Sequence, residues 1–186
     1  HLSLADVKFS GEAADDKSGF SVAGAGDVNG DGFDDMLIGA YGADSEAGKT
    51  YVVYGSSVLA DKNLSAADAT FSGEVAGDKS GNSVSGAGDV NGDGFDDLLI
   101  GAYGADSNTG KTYLLYGSSI LTDKNLSEAD VSFSGKAGGD RAGHRVAGAG
   151  DVNGDGFDDL LIGADGVDTY TGKTYLFTGM GNRLVE

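Results

Sequence analysis

Nine residues recur three times with oxygen-bearing side chains at the same spacing. The stretch Asp27-Val28-Asn29-Gly30-Asp31-Gly32-Phe33-Asp34-Asp35 returns without change at Asp89–Asp97 and at Asp151–Asp159. Carboxylate or carboxamide oxygens stand at positions 1, 3, 5 and 9 of each stretch. On a tightly curled loop, alternate side chains point inward together. Glycine at position 6 permits the sharp turn, and the backbone carbonyl of position 7 can add a further oxygen. This is a donor set for Ca²⁺, a hard cation that takes six to eight oxygens at about 2.3–2.6 Å. The candidate ligands are Asp27, Asn29, Asp31, Phe33 (carbonyl) and Asp35; then Asp89, Asn91, Asp93, Phe95 and Asp97; then Asp151, Asn153, Asp155, Phe157 and Asp159. About three Ca²⁺ per chain are expected.

Mg²⁺ fits less well, because it demands stricter octahedral geometry and keeps more of its water. An EF-hand needs a bidentate Glu at position 12 and flanking helices. Position 12 here is Ile38, Ile100 or Ile162, inside an expected strand. A metal-free Asx turn is the competing reading. Repulsion among clustered carboxylates argues against it. Asp34, Asp96 and Asp158, at position 8, are expected to point away from the ion.

The elements that hold these loops repeat with them. The segment GAGDVNGDGFDD starts at Gly24, Gly86 and Gly148, a period of 62 in a chain of 186 residues. Three tandem repeats follow, about 2–63, 64–125 and 126–186, with a divergent tail from Gly179. Each reads as four short strands, rich in β-branched and aromatic residues and bounded by Gly and Asp clusters. The first strands are expected near Phe20–Ala23, Asn82–Ser85 and His144–Ala147. The second are Met36–Ala40, Leu98–Ala102 and Leu160–Ala164, continuous apolar runs suited to burial on both faces. The third are Thr50–Tyr54, Thr112–Tyr116 and Thr174–Thr178. The fourth are Val7–Ser10, Ala69–Ser72 and Val131–Ser134. A helical turn is expected at each LSxAD segment, with Ser65 and Asp68, then Ser127 and Asp130, as a Ser-x-x-acid cap. Four antiparallel strands repeated in tandem are the arithmetic of β-propeller blades. The fold class is therefore all-β. A β-solenoid is the runner-up, although its coils are usually shorter.

Composition excludes several classes. The chain has 34 Gly, no Pro and no Cys, and a net charge of −18, so neither a disulfide scaffold nor a zinc-thiolate site is available. No apolar run reaches the ~18 residues of a membrane helix, so membrane insertion is not expected. The negative charge disfavours nucleic acid and anionic membranes as partners. Hydrophobic content of 39% separates the chain from disordered acidic tails. There is no initiator Met and no signal peptide, so a processed or engineered chain is expected, with His1 a remnant of processing or cloning.

The Asp-rich loop followed by an apolar strand resembles the FG-GAP repeat, the blade of integrin α-subunit β-propellers, over all three repeats. The two name-giving motifs are degraded. Ser18-Gly19, Ser80-Gly81 and Ala142-Gly143 replace the FG dipeptide. Gly39-Ala40-Tyr41, Gly101-Ala102-Tyr103 and Gly163-Ala164-Asp165 replace the GAP tripeptide. The resemblance implies a Ca²⁺-stabilised propeller with ions on one face and ligands on the opposite face or rim. The departures in the two motifs leave the fold expectation intact and weaken any inference about a particular integrin-like ligand.

Propellers usually have four to eight blades. The chain starts with a fourth-type strand that has no preceding blade and stops after a third-type strand. Unpaired edges want partners. A homodimer is therefore expected, in which the N-terminal strand of one copy pairs with the last blade of the other. Two copies with three blades each would close a six-bladed ring. An excised portion of a longer propeller is the alternative.

A catalytic site is not expected. The chain has two His, and His144 stands where the other repeats have Phe20 and Asn82. Paired carboxylates once per repeat favour metal binding over acid–base work. Ligand contacts are sought in the loops Tyr41–Gly48, Tyr103–Gly110 and Asp165–Gly172, and near Asp16, Asp78 and Asp140. There Tyr41, Tyr103 and Tyr170 could stack on a sugar or peptide. Asp44, Asp106 and Asp168 could accept hydrogen bonds from hydroxyls. The bland alternative is that these residues shape turns. Lys49, Lys111 and Lys173 are expected as solvated charges. The resulting expectation is a Ca²⁺-binding, integrin-like propeller module that binds, adheres or scaffolds in an extracellular or cell-surface setting. An engineered or excised fragment with no ligand and a lectin-like carbohydrate-binding propeller remain open.

Overall fold

The computed structural model describes residues His1–Gly179. The tail beyond Gly179 lies outside the described residues. The strands are β1 Phe9–Ser10, β2 Ser21–Gly26, β3 Asp35–Ala40, β4 Lys49–Val53, β5 Lys62–Asn63, β6 Ala69–Ser72 and β7 Ser83–Gly88. They continue as β8 Asp97–Ala102, β9 Lys111–Leu115, β10 Lys124–Asn125, β11 Val131–Ser134, β12 Ala142–Gly150, β13 Asp159–Ala164 and β14 Lys173–Phe177.

The molecule is all-β, and its repeats are consistent with propeller blades. In each, the apolar second strand forms the centre of an antiparallel meander. The first sheet runs β6-β4-β3-β2, with β10 added to the edge of β6 in parallel. The second runs β11-β9-β8-β7. The third has only β12-β13-β14 among the described residues. The outermost strand of each complete sheet therefore comes from the following repeat. β1, which has no such sheet in the chain, pairs in parallel with β5.

Sheets stack through their apolar faces, inner strand on inner strand, with β7 between β2 and β12. Val28, Leu37 and Val52 of the first sheet meet Val84, Leu98 and Ile100 of the second in one core. Leu99 and Leu114 of the second meet Val146, Leu160 and Ile162 of the third in another. The glycines of the second strands permit the close approach. A Cβ on Gly39 would run into the Gly81 carbonyl, and one on Gly101 into that of Gly143.

Three local readings need correction. The first strands are longer than expected, because Gly24–Gly26, Gly86–Gly88 and Gly148–Gly150 continue the ladder through a register shift. Gly26, with φ +77, supplies the bulge conformation. The LSxAD turns are 3₁₀ turns, and the residue before them caps them. Asn63 and Asn125 accept the N–H of Ser65 and Ser127 at 3.0 Å. Asp68 serves elsewhere, accepting the Tyr54 N–H at 2.9 Å. Finally, Lys49 and Lys111 are largely buried ion-pair partners of Glu12 and Glu74, at 3.2 and 3.3 Å.

Candidate metal centre

Each Asp-rich loop joins the first and second strands of a sheet and is folded by its own side chains. Asp27 Oδ1 accepts the N–H of Gly30 and Asp31 at 2.8 and 3.0 Å, and its Oδ2 accepts that of Gly32 at 2.8 Å. Asn29 Oδ1 accepts the Asp31 N–H at 2.8 Å, and Asp31 Oδ1 accepts that of Phe33 at 2.9 Å. Asn29 Nδ2 donates to Asp31 Oδ2 at 3.0 Å. The loops at Asp89 and Asp151 repeat this pattern. Left-handed Gly30 and Gly32, φ +75 and +90, let the backbone curl tightly enough for these nested turns. Positions 1, 3 and 5 are thus brought together.

Position 9 is placed differently. Asp35 is buried, its Oδ2 accepting the Val28 N–H at 3.1 Å and its Oδ1 the Gly55 N–H at 2.8 Å. Asp97 and Asp159 do the same with Val90 and Gly117, and with Val152 and Gly179. This carboxylate ties the loop to the end of the third strand. Among the described residues no three acidic or histidine side chains form a metal-holding group. The loop centre holds two carboxylates and a carboxamide, while the third carboxylate is drawn to backbone N–H groups. Burial raises the Asp35 carboxyl, and it pushes Asp97, enclosed by sheets on both sides, up to about 7. The exposed Asp151 is instead held low, chiefly by the Gly156 N–H.

The donor set fits a hard divalent cation. Every donor is oxygen, and no cationic side chain competes for it. Among the described residues, none of the twelve loop carboxylates forms an ion pair, although Lys and Arg pair with acids elsewhere.

Position 8 has a role that the sequence reading missed. Asp96 Oδ2 accepts the N–H of Asp27 in the preceding sheet at 2.8 Å, and Asp158 Oδ2 accepts that of Asp89 at 3.0 Å. The neighbouring Phe95 and Phe157 rings lie against Gly30 and Gly92 of the preceding loop. The signal was the invariance of Phe-Asp-Asp in all three repeats, more than one local loop requires.

The candidate ligand-contact residues are largely engaged. Tyr41 packs edge-on against Phe20, with ring centroids 4.6 Å apart. Tyr103 meets His144 at 5.0 Å and lies under Arg141 at 4.9 Å. Tyr170 is exposed. Asp44, Asp106 and Asp168 pair with Lys49, Lys111 and Lys173 at 3.4, 3.4 and 2.9 Å. His144 is bound to Asp165 at 3.0 Å.

Residues 18–53, 80–115 and 142–177 each match the FG-GAP repeat family. The chain is similar to integrin alpha-5 of Xenopus laevis, 34% identical over 179 residues, covering 87% of this chain and 16% of that protein. It is 38% identical over 171 residues to integrin alpha-7 of Homo sapiens, covering 86% and 13%. With integrin alpha-PS5 of Drosophila melanogaster it shares 32% over 169 residues, covering 86% and 16%. The chain thus spans 13–16% of the length of these relatives. With the repeat matched over more than half of its length, and the same loop fold in each of three sheets, the chain belongs to the FG-GAP repeat family of the integrin α-subunit type.

Proposed function

We propose that the chain is a Ca²⁺-binding, integrin-like propeller module that acts by binding or adhesion rather than catalysis, in an extracellular or cell-surface setting. The observation that carries this reading is the three identical loops, in which the side chains of positions 1, 3 and 5 converge and, among the described residues, no loop carboxylate pairs with a protein cation. Asp27, Asn29 and Asp31 would hold the ion, with the Phe33 carbonyl, and Asp35 would hold the loop around it. The same roles fall to Asp89, Asn91, Asp93, Phe95 and Asp97, and to Asp151, Asn153, Asp155, Phe157 and Asp159. A bound divalent cation supplies charge neutralisation. The chain's own residues supply the curl, through Asx turns, and the anchor to the third strand. Because unfolding disperses the donors, binding free energy adds to folding free energy.

The similarity to integrin α-subunits supports an adhesive role, and repetition of the carboxylates in every sheet favours structural ions over an active site. Among the described residues no helix is long and apolar enough to cross a membrane. Two copies closing a six-bladed ring, with β1 of one copy beside β14 of the other, complete the proposal. Its support is that, among the described residues, the third sheet has three strands where the other two each have a further strand from the following repeat. The deciding experiment is a thermal melt with Ca²⁺ and with EDTA, alongside calorimetric titration. A large fall in Tm in EDTA and about three sites per chain are expected. An unchanged melt and no heat of binding would remove the ion from the mechanism.

A further inference from the structure

The third cation loop differs from the first two in what stands over it. Over the first loop, the next sheet places Asp96 on the Asp27 N–H and the Phe95 ring against Gly30, and Ser118 N–H donates to the Val28 carbonyl at 2.9 Å. Over the second, Asp158 and Phe157 take the same places on Asp89 and Gly92. Val28 and Val90 are 0% exposed in consequence, whereas Val152 is 56% exposed. A Cβ on Gly150 or Gly154 would meet open space.

The groups that would cover this loop stand at the other end of the chain. Phe33 and Asp34 are the first-repeat counterparts of Phe95 and Asp96. Phe33 is exposed, and the Asp34 carboxylate is in none of the hydrogen bonds or ion pairs among the described residues. The two end faces match elsewhere too. Ser80-Gly81 and Ala142-Gly143 pack against Gly48 and Gly110 of the sheet before them. On the third sheet that place is a cavity of about 410 Å³, lined by Gly163, Asp165 and Gly172 among others, and Ser18-Gly19 is the counterpart segment. Val22 is 66% exposed, where Val84 and Val146 are 5% and 8%. Arg141 lies over Tyr103; the counterparts are Lys17 and Asp165, of opposite charge, which within the chain pair with Asp15 and with Arg141 and His144. Some positions depart: Thr178 stands where Tyr54 accepts the Leu121 N–H of the following repeat. Arg145 stands where Ser21 and Ser83 accept the N–H of Val84 and Val146.

We propose that the third loop is completed in trans: Phe33 and Asp34 of a second copy of this chain close over Asp151–Asp159 as Phe95 and Asp96 close over Asp27–Asp35. This rests on the reading of the loops as Ca²⁺ sites. Asp34 Oδ2 accepts the Asp151 N–H and fixes the backbone from which the first ligand of that loop projects. Cation binding at this loop and pairing of the copies are therefore linked, each strengthening the other by the same factor.

The test titrates the 186-residue chain with Ca²⁺ by calorimetry at several chain concentrations, with sedimentation on the same samples. The expected result is two concentration-independent sites and a third that tightens as chain concentration rises, with Ca²⁺ moving the mass from one copy to two. Asp34→Ala should weaken the third site by about tenfold and reduce pairing. It should leave the other two sites and the melting of the single chain unchanged. Asp151→Asn should remove the third site without touching the first two. Three sites that ignore chain concentration and Asp34→Ala would overturn the linkage while leaving the Ca²⁺ reading intact. No Ca²⁺ binding at any loop would overturn that reading and the linkage with it. A chain that stays single at every concentration would overturn the second copy as occupant, as expected if a further blade of a longer polypeptide covers this face.

Discussion

Asp96 accepts the backbone N–H of Asp27 at 2.8 Å, across 69 residues of chain and the boundary between two sheets. The residue that starts one Asp-rich loop is thereby oriented by the residue next to the end of another.

Asp96→Ala should destabilise the chain by about 1.5–3 kcal/mol, the range for a hydrogen bond to a charged group. Asp158→Ala should behave alike, since Asp158 holds Asp89 in the same way. Urea denaturation of both variants, set against Asp34→Ala in dilute solution, is the measurement. Equal stability of all three would deny the inter-sheet bond any energetic role.

The turns between second and third strands store strain. Asp106, Ser107 and Asn108 are all left-handed, with φ of 49, 60 and 62. This winding aims the Asn108 carbonyl at the N–H of Arg141 in the next sheet, at 2.9 Å. A β-branched side chain tolerates this backbone poorly, so Ser107→Val should cost about 1–2 kcal/mol. Ser107→Gly should be no less stable than the parent. Thermal melts giving the order Gly, Ser, Val would agree; a Val variant as stable as the Gly variant would not.

The His144 cluster makes stability depend on pH. Burial lowers the His144 imidazole below its ordinary 6.5, against the pull of Asp165 and with help from Arg141 and Arg145. The unfolded chain therefore takes up this proton first as pH falls. The contribution is fully present above about 6.5 and is lost as pH drops from there toward the folded value. His144→Phe, which places the first repeat's residue at this position, should flatten that part of the stability profile. A wild-type profile in the variant would show that other groups set it.

Lys136 stands where the first two repeats have Glu12 and Glu74, the partners of Lys49 and Lys111. Among the described residues Lys173 consequently pairs only with exposed Asp168. Lys136→Glu should raise the Tm slightly at low salt, the gain shrinking as salt screens the pair. Differential scanning calorimetry at two ionic strengths would reveal the gain and its salt dependence.

The repeat, its principal strands and the tight turn of each Asp-rich loop could be read from the chain because each is local, whereas the two-residue strands β5 and β10 could not. Gly30 and Gly32 announce a tight turn, and the apolar run at Leu98–Ala102 announces a strand buried on both sides. What could not be read depends on neighbours. Asp34, Asp96 and Asp158 look like solvated acids until the sheets are stacked. Asp35 looks like another loop oxygen until the Gly55 N–H is seen to reach it from the far end of the third strand. Lys49 looks like a surface charge until Glu12, 37 residues away, is placed beside it. The bulge at Gly24–Gly26 escaped for a similar reason, since only the opposing strand shows that the ladder continues.

The borrowing of each outer strand from the following repeat has a consequence for synthesis. A chain emerging from the ribosome carries β2, β3 and β4 well before β6, which lies beyond the turn at Leu64–Ala66. Throughout that interval the first sheet has an open edge, and nascent chains move at about 5–20 residues per second. Every new repeat seals its predecessor and exposes a fresh edge of its own. Growth therefore runs as a relay in which one vulnerable edge travels along the polypeptide, rather than many edges accumulating at once.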